Sequence, residues 1–227
     1  QAVRRFQARH GLTEDGRIGG ATLSALNVGV EDRIRQLEAN LQRQRWLPPD
    51  LGPEFLWVNI PEFRLRVFRG DREVLGMPVV VGAPDSPTPG FSERLDRAVV
   101  NPSWYVPESI AVNELVPKFA RDPEYLRNGQ YDLLDERGEL MDTKGLKPEL
   151  LQSGLHRLRR RPGPWNDLGR IKFLLPNRFN VYLHDTPSRN LFARTARAFS
   201  HGCIRVGEPL ELAKYLFPDR FEELERD

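Results

Sequence analysis

Tyr182-Leu183-His184-Asp185-Thr186, a polar run, and then Ser200-His201-Gly202-Cys203-Ile204-Arg205-Val206 form the stretch around which this chain is organised. Cys203 is the only cysteine, and two of the four histidines flank it. His184 ends a strand-like run, and His201 stands two residues before the thiol. A sole Cys in a polar, Gly-containing turn with His at hand suits nucleophilic catalysis better than core packing. The same residues have plainer readings, a buried structural thiol and a satisfied strand-end imidazole. His184, His201 and Cys203 as soft-metal ligands would be a third reading. Three ligands in a chain otherwise poor in His and Cys argue against zinc.

The chain has 227 residues, which suits one large domain or one domain plus a small module. With 29% charged and 39% hydrophobic residues it has the composition of an ordinary soluble globular protein. A formal charge of +2 offers no global argument for nucleic acid or a membrane surface. No apolar run approaches the ~20 residues of a membrane-spanning helix. The first residue is Gln1 and not Met, so a fragment or mature form is expected. One cysteine excludes an intramolecular disulfide.

Residues 1–28 read as two short helices. Val3 and Phe6 share a face, Gly11 is a stop, Asp15-Gly16 is a turn, and Thr22, Leu23 and Leu26 suit a second helix. The order Phe6-Gln7, Gly11-Leu12, Asp15-Gly16, Gly19, Thr22-Leu23 resembles the second half of the small helical peptidoglycan-binding module. A helical hairpin packed on the main domain is the plainer reading. Residues 31–46 predict a helix with Ile34, Leu37 and Leu41 on one face, ended by Pro48-Pro49. With its linker (29–54) it is expected to lean on the following domain.

From Phe55 the period changes to two. Residues 55–60, then Phe63, Leu65 and Val67 alternating with arginines, then Val74 to Val81, predict an antiparallel meander. A Pro-rich loop and a strand over 95–101 follow, and Trp104 and Tyr105 stand at the sheet edge. Residues 108–165 break the pattern with a helix interrupted by Pro117, a second helix after Asp122-Pro123, a short hairpin from Tyr131, and an Arg-rich run over 155–161. Such an interruption reads as a cap or insertion. Its arginines suit an anionic polymer or a peptide carboxylate, or a solvated face. Strands are expected over 170–175 and 179–184, then a polar loop, then a last helix after Pro209.

With the strands placed, His184, the 15 residues 185–199 and Ser200-His201-Gly202-Cys203 resemble the signature of the L,D-transpeptidase (YkuD-type) catalytic domain. The order of partial binding module, connector helix with Trp46-Leu47-Pro48, sheet, inserted cap and Leu183-His184-Asp185-Thr186-Pro187 is similar to the large, capped branch of that family. The resemblance implies a mainly antiparallel β catalytic domain over 55–227, with an inserted α/β cap over about 108–165, preceded by a short helical segment. Arg205 is a departure, since short-domain members often carry Asn there.

The resemblance also implies a mechanism. Cys203 attacks a tetrapeptide stem, D-Ala leaves, and an amine of a second stem resolves the thioester into a 3→3 cross-link. His184 is the expected base, with the Asp185 carbonyl orienting its other nitrogen. The Gly202 N–H, with that of Cys203, is the expected oxyanion donor. Tyr182, Arg205, Trp104 and Asn180 are expected substrate contacts, as are Ser200, with a hydrogen bond to the nucleophile loop as its other reading, and His201, with structuring of the turn as its other reading. Stem peptides as donor and acceptor, and carbapenem β-lactams as covalent inhibitors, are the expected partners. No cofactor, metal or nucleic acid is implied, and a monomer in the periplasm or cell envelope is expected. An L,D-carboxypeptidase, attachment of a protein to the wall and D-amino acid exchange would use the same acyl-enzyme. A wall-binding module with a vestigial site is the non-enzymatic alternative, and it would need neither Cys203 nor His184.

Overall fold

The computed structural model describes residues 1–142, 151 and 156–222. The first helix, α1 (Ala2–Arg9), packs around a buried amide. Gln7 is 1% exposed, and its Nε2 donates to Asp15 Oδ1 at 2.8 Å, the Arg17 carbonyl at 2.9 Å and Thr22 Oγ1 at 3.1 Å. Its Oε1 accepts the Gly16 N–H at 2.8 Å. The turn at Asp15-Gly16 and helix α2 (Gly20–Leu26) are thereby tied to α1 through one side chain. Burying an amide is tolerated only when its donors and acceptor are satisfied, as here. Gly11 closes α1 with φ +62°, a left-handed conformation that Gly adopts freely.

Two compact units are formed: Gln1–Pro78 with Phe192–Arg197, and Val79–Leu191 with Ala198–Asp227. In the first, helix α3 (Val30–Gln44) follows α2. No residue of α3 is buried, and Ile34, Leu37 and Leu41 stand exposed. The apolar stripe expected to lean on the following domain is therefore unburied. Strands β1 (Glu54–Asn59), β2 (Arg64–Arg69) and β3 (Arg72–Gly82) make the expected meander, with Leu65, Val67 and Met77 buried. The first turn is closed by Phe63 at φ +56° and the second by Gly70 at φ +55°.

The second unit is built on a sheet in the order β3, β12 (Ile204–Val206), β10 (Leu183–His184), β9 (Ile171–Leu174), β4 (Arg97–Val100). Most of its pairs are antiparallel, while β10–β12 and the contact of β11 (Ala198–Ser200) with β3 are parallel. Side chains alternate across a sheet. Val79, Phe173, Leu183, Ile204 and Val206 lie on one face in register and are buried. Leu212 and Ala213 of the helix Pro209–Leu216 are buried as well.

Residues 104–160 carry a second sheet, β5 (Trp104–Tyr105), β8 (Arg157–Arg160), β6 (Tyr131–Leu134), β7 (Leu140–Met141), in that order. It has its own apolar core, including Leu115, Phe119, Leu126, Leu133 and Leu158. The helix over 108–121 runs Glu108–Ile110, then Ala111–Leu115 as a π-helix, then Val116–Arg121. The wider turns end just before Pro117, which has no N–H to offer and whose ring crowds the preceding turn. This explains how a helix passes a proline that left its course open in the sequence. The arginine run divides: Arg157 and Arg161 are exposed, while Arg159 and Arg160 are partly buried, and three of the four are paired with carboxylates. Asp132, its side chain 3% exposed, accepts from Arg159 at 2.6 Å and Arg161 at 2.7 Å. Arg160 pairs with Asp167 at 2.5 Å. Leu155, the start of that run as read, lies outside the described residues.

Candidate active site

The expected strand over 179–184 is shortened to Leu183–His184. Asn180 takes φ +55°, and the Asn177 amide bridges the turn, donating to Leu175 O at 2.5 Å and Val181 O at 2.7 Å. What survives of the strand makes the decisive pairing. Leu183 faces Ile204 and His184 faces Arg205 in parallel register, and the Ile204 N–H donates to the Tyr182 carbonyl at 3.0 Å. Leu183 and Ile204 take the core side. Tyr182, His184, Cys203 and Arg205 fall together on the other.

His184 is 5% exposed. Its Nδ1 lies 2.5 Å from the Asp185 carbonyl oxygen. A carbonyl only accepts, so Nδ1 carries the proton and Nε2 keeps the lone pair of a base. Burial, then the charges of Arg205 and Lys172, push the imidazole pKa down to about 3, against the pull of the Asp185 and Asp167 carbonyls. His184 is therefore neutral at physiological pH. Asp185 is itself fixed: its N–H donates to the Ile171 carbonyl at 2.9 Å, and its Oδ2 accepts the Arg170 N–H at 2.9 Å.

The thiol turn is held by its own polar atoms. The Ser200 hydroxyl donates to the Cys203 carbonyl at 2.5 Å and accepts the Gly202 N–H at 3.2 Å. Thr88 donates to the Gly202 carbonyl at 2.8 Å and accepts the Gly82 N–H at 2.8 Å. Gly202 needs its freedom here, at φ +108°. Two expectations are corrected by this network. The Gly202 N–H points into the turn and is not an open oxyanion donor. Ser200, 3% exposed, builds the turn and is not a substrate contact.

The remaining expected contacts divide. His201 is exposed, and its Nε2 lies 2.5 Å from Glu114 Oε1, so it links the thiol turn to the helix over 108–121. Asn180 meets Cys203 Sγ through its carbonyl, at 3.8 Å, while its side chain does not. The Tyr182 hydroxyl hydrogen-bonds Cys203 and receives a hydrogen bond from Trp104. The Tyr182 and His184 ring centroids are 5.6 Å apart. Arg205 is half-buried, and among the described residues its Nε has no hydrogen-bond partner.

Burial raises the Cys203 thiol pKa. Hydrogen bonds from Tyr182 and the charges of Arg205 and Lys172 oppose the rise without cancelling it. With the thiol pKa pushed up and the imidazole pKa pushed down, both groups rest uncharged.

Sequence reading missed Lys172, Thr88 and Asp167. The strand holding Lys172 was expected, but which residue of β10 it faces depends on a register that the turn between them does not give. Thr88 sits in a Pro-rich loop without a catalytic signal.

The L,D-transpeptidase catalytic domain family matches residues 53–219, and a provisionally named peptidoglycan-binding domain matches residues 1–26. A protein of Haemophilus influenzae, provisionally named an L,D-transpeptidase, is 36% identical over 191 residues. That alignment covers 83% of this chain and 38% of the relative, so the chain spans well under half of that protein's length. The family match runs through both strands that bear the site, the thiol turn, and the segment carrying the second sheet. The chain thus belongs to the L,D-transpeptidase catalytic domain family, with part of a peptidoglycan-binding domain ahead of it.

Proposed function

We propose that the chain is a peptidoglycan L,D-transpeptidase with Cys203 as nucleophile. The observation that carries this reading is the parallel pairing of β10 with β12, which puts Tyr182, His184, Cys203 and Arg205 on one face. Cys203 Sγ attacks the carbonyl between the L-centre of a third-position diamino acid and the terminal D-Ala. The thiol proton passes to His184 Nε2. Collapse of the tetrahedral adduct breaks the amide C–N bond, and the proton leaves with the D-Ala amine. A side-chain amine of a second stem attacks the thioester, gives its proton to His184 and yields the 3→3 cross-link. The proton returns to sulfur. With the Gly202 N–H occupied, the Cys203 N–H is the donor assigned to the oxyanion. The inserted cap over about 108–165 is assigned the exclusion of water from the thioester. The cell envelope is the setting such a substrate requires.

The test is incubation with purified tetrapeptide muropeptides. Cross-linked dimers and free D-Ala are expected, and Cys203→Ala gives neither. Tripeptide monomers alone would make the protein an L,D-carboxypeptidase. A carbapenem is expected to add its mass to the wild type. Covalent labelling of Cys203→Ala would remove Cys203 from the nucleophile role.

A further inference from the structure

Strand β9 alternates Ile171 and Phe173, buried, with Lys172 on the opposite face. In the antiparallel register of β9 and β10, Lys172 lies directly across from His184. Its Nζ stands 5.8 Å from the centroid of the Tyr182 ring, whose hydroxyl is hydrogen-bonded to Cys203. Among the described residues no carboxylate pairs with Lys172. A half-buried ammonium without a counter-ion is costly to keep. It faces the Tyr182 ring just before β10 and the neutral His184 within it, Cys203 just before β12 and Arg205 within it, and the apolar Val99 opposite it on β4. Asp167, the nearby acid, is already paired with Arg160. The one group on this face that becomes negative during the proposed reaction is the Cys203 sulfur.

The geometry points to Lys172 as a positioning residue that stabilises negative charge on Cys203 Sγ, with its ammonium set against the Tyr182 ring. This rests on Cys203 being the nucleophile. The ammonium acts through space and through Tyr182, whose ring face attracts a cation and whose hydroxyl donates to the sulfur. Burial lowers the lysine's own pKa, and the Cys203 thiolate raises it, the reciprocal of the effect on the thiol.

The test is the pH dependence of Cys203 alkylation by iodoacetamide in wild type, Lys172→Met and Lys172→Arg. This readout needs no wall substrate, so it stays informative if the transpeptidase reading fails. Lys172→Met is expected to move the alkylation midpoint up by about one pH unit, with alkylation at neutral pH slowed about tenfold. Lys172→Arg restores most of both. Thermal unfolding of each variant identifies loss of fold, and Lys172→Gln serves if Met fails to fold. A folded Met or Gln variant with an unchanged midpoint overturns the proposal. So does a Lys172→Arg variant as impaired as Lys172→Met, since a cation effect must survive exchange of one cation for another.

Discussion

The imidazole of His184 donates from Nδ1 to the carbonyl oxygen of Asp185, the next residue in the chain, across 2.5 Å. The carbonyl fixes the tautomer without adding a full negative charge, so it and the Asp167 carbonyl offset only part of the cost of a buried imidazolium. The folded pKa of about 3 lies below the ordinary value of 6.5, so the unfolded chain binds more protons between those limits. Stability is then full above about pH 6.5 and declines as pH falls toward 3. The slope from this group approaches about 1.4 kcal/mol per pH unit. Denaturation at pH 7 and pH 5 measures it, and His184→Gln is expected to flatten the dependence over that interval. A wild type equally stable at both pH values would show that His184 is not held neutral.

Asp132 supplies the second prediction. Burial alone would raise its pKa, but hydrogen bonds from Arg161 and Arg159 outweigh burial and hold it low. Its contribution is present above the ordinary carboxylate range and lost as pH falls through the lowered value. Asp132→Ala leaves Arg159, mostly buried, without its partner. Breaking a buried pair costs about 3–5 kcal/mol. Because Arg161 is more than half exposed, we expect about 2–3 kcal/mol here, read by urea denaturation.

The sequence made the site's membership legible where spacing and residue type suffice. Cys203 in a Gly turn and His184 at a strand exit are read from local pattern. The face they share is a consequence of which strands pair, and β10 with β12 joins segments separated by a loop whose path no local propensity determines. The Gly202 N–H and the Ser200 hydroxyl are both engaged inside the turn, against the oxyanion role expected of Gly202 and in favour of the nucleophile-loop reading of Ser200. A turn's internal hydrogen bonds compete for the groups that a motif offers to a substrate. The arginine run misled because its partner Asp132 lies on β6, outside any local window.

Gly169 predicts a different failure. It holds φ +60°, and a Cβ there would stand 2.3 Å from Asp185 Oδ2. Gly169→Ala combines backbone strain of about 1–2 kcal/mol with displacement of the Asp185 carboxylate. Because Asp185 also carries the carbonyl bound by His184, carbapenem acylation is expected to slow at least tenfold in the folded variant. An acylation rate matching wild type would show that the orientation of Asp185 does not reach the imidazole.

Gln7 provides the sharpest test of the helical segment. Its amide donates toward Asp15, the Arg17 carbonyl and Thr22, and accepts from Gly16, so its two ends are chemically distinct. Gln7→Glu keeps the size and the acceptor but sets a carboxylate against the Asp15 carboxylate and the Arg17 carbonyl. At neutral pH the two negative groups repel, and the segment is expected to open. Below about pH 4 the new carboxyl is protonated and donates again, so order returns as pH falls. Gln7→Leu keeps neither end, and its defect is independent of pH. Amide hydrogen exchange over residues 2–26 separates the cases: faster exchange in both variants at pH 7, with recovery at pH 4 in Gln7→Glu alone. Recovery in both, or in neither, would mean that the Gln7 amide is not what holds the two helices together.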